Sequence, residues 1–230
     1  MAAARPATAV LSSLALKGVL EKSKSAFESA TGPLELSFDA TQSILVRLAQ
    51  GARADVLILT SEALEDLHRR GEVTQVRALG SSGVGLAVRA GAAKPDIGTT
   101  EALVRALLSA SSVAHSKVGA SGIYFSDLLE RFGIAGKLKK RIVVEKGPVG
   151  LAVAAGEAEI GVQQLCELAP VRGIDIVGPL PPPLQMLTYF SAGISARAAN
   201  PESAKELMTL LASQATRAAM LEGGMQPAVG

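Results

Sequence analysis

Short apolar runs alternate with helix-length amphipathic stretches from residue 8 to beyond residue 190, and nothing else restricts the fold of this chain as strongly. Apolar or alternating runs predict strands at 8–11, 34–38, 55–59, 84–89, 112–115, 141–145, 159–163 and 185–192. Helix signals fall between them at 14–30, 42–50, 61–70, 99–108, 122–132 and 149–155, and two more helices close the chain within 201–221. Ser61 is expected to cap the third helix and Gly71 to end it. The run 55–59 is apolar after its first residue, as a strand covered on both faces must be. Strand–helix–strand repetition builds parallel sheets through right-handed crossovers. The expected class is α/β.

The pattern restarts near residue 84, so two α/β units are expected in 230 residues. Gly80-Ser81-Ser82-Gly83 is expected to be the crossover hinge, and Pro179-Leu180-Pro181-Pro182-Pro183 a stiff return connector. That gives one discontinuous lobe from 1–82 and 187–230, and a second from 83–186. Ligands in open α/β sheets sit outside the carboxyl ends of the strands, so a cleft between two lobes is the expected binding place.

Composition narrows the chemistry. Lys and Arg total 23 against 21 Asp and Glu, so no basic surface suited to nucleic acid is expected. Aromatic residues are only 3% with no Trp, which argues against base-stacking platforms. The single cysteine, Cys166, lies in an apolar run and is expected to be a buried, inert thiol. With two histidines far apart, neither a metal site nor any other cofactor is expected. No stretch approaches the length of a membrane span, and no secretion leader is legible before residue 8. A full-length chain would then be cytoplasmic. No exposed apolar helix face demands a second copy, so a monomer is expected.

Small polar residues cluster where strands hand over to helices. Ser12 and Ser13 follow the first strand, and Thr41 and Ser43 the second. Gly119-Ala120-Ser121-Gly122 and Gly147-Pro148-Val149 hold the matching places later in the chain. Such residues cap helices, and they also leave backbone N–H groups open to an anion at the positive end of the helix.

Several of these segments resemble the periplasmic molybdate-binding proteins, which are type II substrate-binding proteins of ABC importers. The likeness rests on Ser12-Ser13-Leu14, Gln50-Gly51-Ala52-Arg53-Ala54-Asp55-Val56, Ser121-Gly122-Ile123-Tyr124 and Gly156-Glu157-Ala158-Glu159-Ile160-Gly161-Val162. It implies a two-lobed type II periplasmic-binding-protein fold, a periplasmic location, an ABC permease as partner, and capture of a small anion by hydroxyls and amides without a metal. It places Ser12 or Ser13 at the first hydroxyl ligand, Thr41 at the second, and the main-chain N–H groups of Ser121 and Val149 on the anion. Two positions depart from the pattern. Thr41-Gln42-Ser43 replaces the usual Ser-Gly, and Gln164 stands where those binders carry a tyrosine. A carboxamide suits an organic carboxylate at least as well as a tetrahedral oxyanion.

The stretch 118–125 also resembles a superfamily branch that includes aconitate isomerase. That resemblance implies an alternative activity, in which a double bond moves within a polycarboxylate by proton transfer. His115 is the expected base, since an imidazole titrates near neutral pH. Lys117 beside it is expected to neutralise a ligand carboxylate.

Overall fold

The computed structural model describes residues 5–229. Residues 1–4 and 230, on which the leader expectation and the outer limits of the first lobe partly fall, lie outside the described residues.

In chain order the elements are β1 (Thr8–Ser13), α1 (Lys17–Thr31), β2 (Leu34–Asp39), α2 (Thr41–Ala49), β3 (Val56–Thr60), α3 (Ser61–Arg69) and β4 (Val73–Arg89). Next come α4 (Thr100–Ser109), β5 (Val113–Ser116), α5 (Ala120–Arg131), β6 (Arg141–Val144), α6 (Val149–Ala154) and β7 (Ile160–Gln164). The chain ends with α7 (Leu165–Leu168), β8 (Ile174–Pro179), β9 (Leu187–Ser195), α8 (Pro201–Leu211), α9 (Gln214–Glu222) and β10 (Gln226–Pro227). The α/β class is as expected. The chain divides into two compact units, one ending at Ser81 and resuming at Tyr189, the other running Ser82–Thr188.

In the first unit β2, β1 and β3 run parallel, with Val10 facing Leu36 on one side and Val56 on the other. β9 joins β3 antiparallel. Leu11, Ile44, Leu57, Leu59, Leu64 and Leu67 form one buried cluster against this sheet. Asp55, just before β3, is buried and explains the most distinctive sequence segment. Its carboxylate accepts from Ala9 N and from Asn200 N, each at 2.8 Å. It stitches the first strand to the start of α8.

The second unit has a parallel core of β7, β5 and β6, with β4 antiparallel to both β7 and β8. Leu86, Leu103, Leu107, Phe125, Leu128 and Val162 fill one face. Ala114, Val149, Val153 and Ala158 cover the other.

Two expectations are corrected and one is refined. The chain passes from the first unit to the second between Ser81 and Ser82, inside the expected crossover at 80–83, but these residues belong to the 17-residue β4 and not to a loop. A Cβ on Gly80 would sit 2.4 Å from the Gln226 carbonyl oxygen, so glycine there permits close strand approach. The proline run is no uniform extended connector: Pro179 ends β8, which the sequence hid, and Pro182 opens a 3-10 turn at Pro182–Leu184. Proline is tolerated at both places because neither needs its missing N–H. Finally, Ser61 is the first residue of α3, and Thr60 before it makes no side-chain cap. The Ser61 hydroxyl instead meets that of Ser191 at 2.7 Å.

Candidate functional site

In the first unit, β1 ends in two buried serines. Ser12 Oγ donates to the Ser13 carbonyl at 2.9 Å, and Ser13 Oγ accepts from Ala15 N at 3.1 Å. Ser13 thus caps the 3-10 turn Leu14–Leu16 that leads into α1. At the neighbouring strand end, Thr41 opens α2, and its Oγ1 accepts from Thr60 N at 3.2 Å. Since that hydroxyl accepts from the protein, its own proton remains available to donate outward. Ser43 lies in the same first turn, half-buried. Ala40 precedes α2 and offers no side-chain cap. The N–H groups of this turn therefore have no intrahelical acceptor and no capping side chain.

A cavity of about 280 Å³ opens at the same carboxyl edge, lined in part by Ser61, Ser81, Tyr189 and Phe190. Tyr189 is 60% exposed.

In the second unit, β5 ends at Ser116, whose Oγ accepts from Gly119 N at 3.0 Å. Gly119 precedes α5 and has no side chain to cap it, so the helix start is open. Gly122 lets α5 come down on the strand end, because a Cβ there would lie 1.9 Å from the Ser116 carbonyl oxygen. Ser121 is buried in this first turn.

The remaining expected residues are engaged within the protein. His115 is buried beneath α5, its ring edge-on to Phe125 at 5.6 Å between centroids. One ring nitrogen meets the Ser116 carbonyl at 2.9 Å, and Arg141 Nε donates to the other at 2.8 Å. A carbonyl only accepts and a guanidinium only donates, so the ring is neutral with its proton on Nδ1. Burial, assisted by the Arg141 charge, holds its pKa below the ordinary histidine value. Neither nitrogen is open to a ligand in this arrangement. Lys117 is exposed and paired with Glu145 at 2.9 Å.

Val149 N, expected on the anion, donates to Gln163 Oε1 at 2.7 Å. The other end of that buried carboxamide donates to Glu167. Burial pushes the Glu167 carboxyl up to about 7, and the bond from Gln163 offsets part of the effect. Gln164 is also internal. With its carboxamide turned to satisfy both ends, its oxygen accepts from Thr188 Oγ1 at 2.6 Å and its nitrogen donates to the Ser82 carbonyl at 2.8 Å. Cys166 is buried and its thiol pKa is pushed up by burial.

Gln163 and Glu167 escaped the sequence reasoning, although two polar residues four apart in an apolar run are a usable signal. Among the described residues no group of three or more His, Cys, Asp or Glu is placed to hold a metal ion, and no helix is long and apolar enough to cross a membrane.

The sequence profile of the bacterial extracellular solute-binding protein family matches residues 8–226. The chain is 38% identical over 237 aligned residues to an aconitate isomerase from a Pseudomonas species, covering 98% of this chain and 90% of that protein. Its fold matches the periplasmic molybdate-binding protein of Azotobacter vinelandii with a TM-score of 0.76 at 20% identity, across 95% of this chain and 98% of that one. A periplasmic thiamin-binding protein superposes with a TM-score of 0.72 at 18% identity, across 98% and 84%. Molybdate and thiamin share little chemistry, so the fold leaves ligand choice to local residues. By a profile match over nearly its whole length and a full-length relative, this chain belongs to the bacterial extracellular solute-binding protein family.

Proposed function

We propose that this protein captures an aconitate-like polycarboxylate and moves its double bond by proton transfer. The observation that carries this reading is the 38% identity to an aconitate isomerase across 98% of the chain. In this reading the ligand carboxylates are met by the hydroxyls of Ser13, Thr41 and Ser43 and by that of Ser12 once its proton turns away from the Ser13 carbonyl, with the open first turns of α2 and α5, including Ser121, as further donors. This reading is supported by helix starts without side-chain caps at α2 and α5, where an anion replaces water as the acceptor.

The reaction needs no oxidant. A base takes a proton from the methylene carbon flanking the double bond, and the electron pair delocalises over the conjugated carboxylate. A proton is then delivered to the far carbon of the same allylic unit. We assign the proton-carrying role to Glu167, which Gln163 links to the start of α6 at Val149 and whose carboxyl burial raises to about 7. His115 is assigned to position Arg141 and the β5–α5 turn, because its acceptor nitrogen is occupied. Val149 and Gln164, committed to Gln163 and to Thr188 and Ser82, are given no ligand contact in this reading, nor is Lys117, which is paired with Glu145.

Ultraviolet absorbance of purified protein with trans- or cis-aconitate tests the activity. Conversion that Glu167→Gln abolishes and His115→Asn reduces only in part is expected. Full turnover in Glu167→Gln would overturn the assignment of the base. Absence of conversion by the unaltered chain would overturn the isomerase reading.

The family itself favours a second reading, a periplasmic binding protein that delivers an organic anion to an ABC permease. Ligand-induced thermal stabilisation without turnover is its signature.

A further inference from the structure

The second unit carries a cavity of about 600 Å³ at the edge opposite its strand carboxyl ends, a size common among small-molecule sites. Ser111 and Ser112 precede β5, Ala158 and Glu159 precede β7, and Arg89 ends the antiparallel β4, so all of them line this amino edge. A four- to five-residue strand separates that edge from the carboxyl ends by roughly 15 Å.

The rim carries both signs of charge. Glu159 is held by Ser111, whose N and Oγ both donate to Oε2, at 2.7 and 2.6 Å. Its other oxygen makes no hydrogen bond among the described residues; the Ser111 bonds, with a smaller contribution from the nearby Lys139 charge, hold the carboxyl below the usual range. Arg89 is exposed and has no ion pair among the described residues. Its Nη1 lies beside Gly156, 3.6 Å from where a Cβ would stand; the φ of +77° there favours glycine. Lys94 donates to the Ile176 carbonyl at 2.8 Å and likewise has no carboxylate partner among the described residues. Ala92, Ala106 and Ala158 supply an apolar floor with little bulk.

We infer that this cavity is a second ligand site for a small zwitterion, an α-amino acid with a short apolar side chain, its carboxylate on Arg89 and its ammonium on Glu159. A guanidinium fork matches a carboxylate in two parallel hydrogen bonds. The uncommitted oxygen of Glu159 matches an ammonium donor. A simple carboxylate would face the charge of Glu159, and a simple amine would face Arg89, Lys94 and Lys139. The apolar lining at Ala106, Ala158 and Ile160 suits an apolar side chain. The inference is independent of the aconitate reading.

Calorimetric titration of the whole chain with L-valine tests it, with isobutyrate and isobutylamine as single-charge controls. Valine is expected to bind, and each control to bind at least about tenfold more weakly. Arg89→Ala and Glu159→Gln are each expected to weaken valine by at least about tenfold. Both positions are exposed, and an unaltered melting temperature checks that each variant folds. If Arg89→Ala fails to fold, Glu159→Gln decides. Isobutyrate binding as tightly as valine, valine binding unchanged in the variants, competition between valine and cis-aconitate, or no binding of valine would each overturn the inference.

Discussion

Burial shifts the Glu167 carboxyl and the His115 imidazole in opposite directions. The Glu167 carboxyl is raised from 4.5 to about 7, so between those values the folded state holds a proton that the unfolded state has released. The stability from that proton is whole below about pH 4.5 and is lost as pH rises through about 7. Glu167→Gln is expected to remove this slope and gain on the order of 1–3 kcal/mol above pH 7, read from urea unfolding at several pH values. His115 has the reverse sign. Its lowered pKa means that stability is present above about 6.5 and falls as pH drops through the folded value. Gln164 ties Thr188 to β4 inside the second unit. Gln164→Leu leaves a buried hydroxyl and a carbonyl without their partner and should cost about 2–4 kcal/mol in the same measurement. The sequence revealed that positions 163 and 164 are polar within an apolar run. It did not reveal their partners, because Val149, Ser82 and Thr188 are reached only through tertiary contact. For the same reason His115 read as a base while Arg141, 26 residues away, occupies its lone pair.

The helix starts form the next level. α2 and α5 each begin without a capping side chain, whereas α4 is capped by Thr99 and α9 by Ser213. Capping typically contributes about 1 kcal/mol, so its absence at α2 and α5, as also at α3, leaves donors for another acceptor. Gly122→Ala is expected to be severe, because the new methyl would overlap the Ser116 carbonyl. Overpacking of this kind costs on the order of 3 kcal/mol and pushes α5 off β5. A lower melting temperature together with weakened anion binding checks it. Most elements were legible because apolar periodicity is a local property. β8 and the middle of β4 were not, since their glycines and prolines mimic turn punctuation while serving close strand packing.

For the molecule as a whole, a ligand that binds only the folded state must raise its stability. At a concentration of about one hundred times Kd the gain is about 2.7 kcal/mol. Cis-aconitate is expected to raise the melting temperature under the proposed function, and Thr41→Val and Ser12→Ala together should reduce the shift. The α/β class was legible from the strand–helix rhythm alone. Which donors remain open was not, because that depends on what each strand end meets across its sheet. The first unit is discontinuous, resuming at Tyr189, and Asp55 binds Asn200 across 145 positions of sequence. On the ribosome, the segment Ser82–Thr188 is therefore complete while the first unit still waits for its last strand and helices. The portion of the protein made first thus cannot complete its own sheet until β9 has been made to pair with β3.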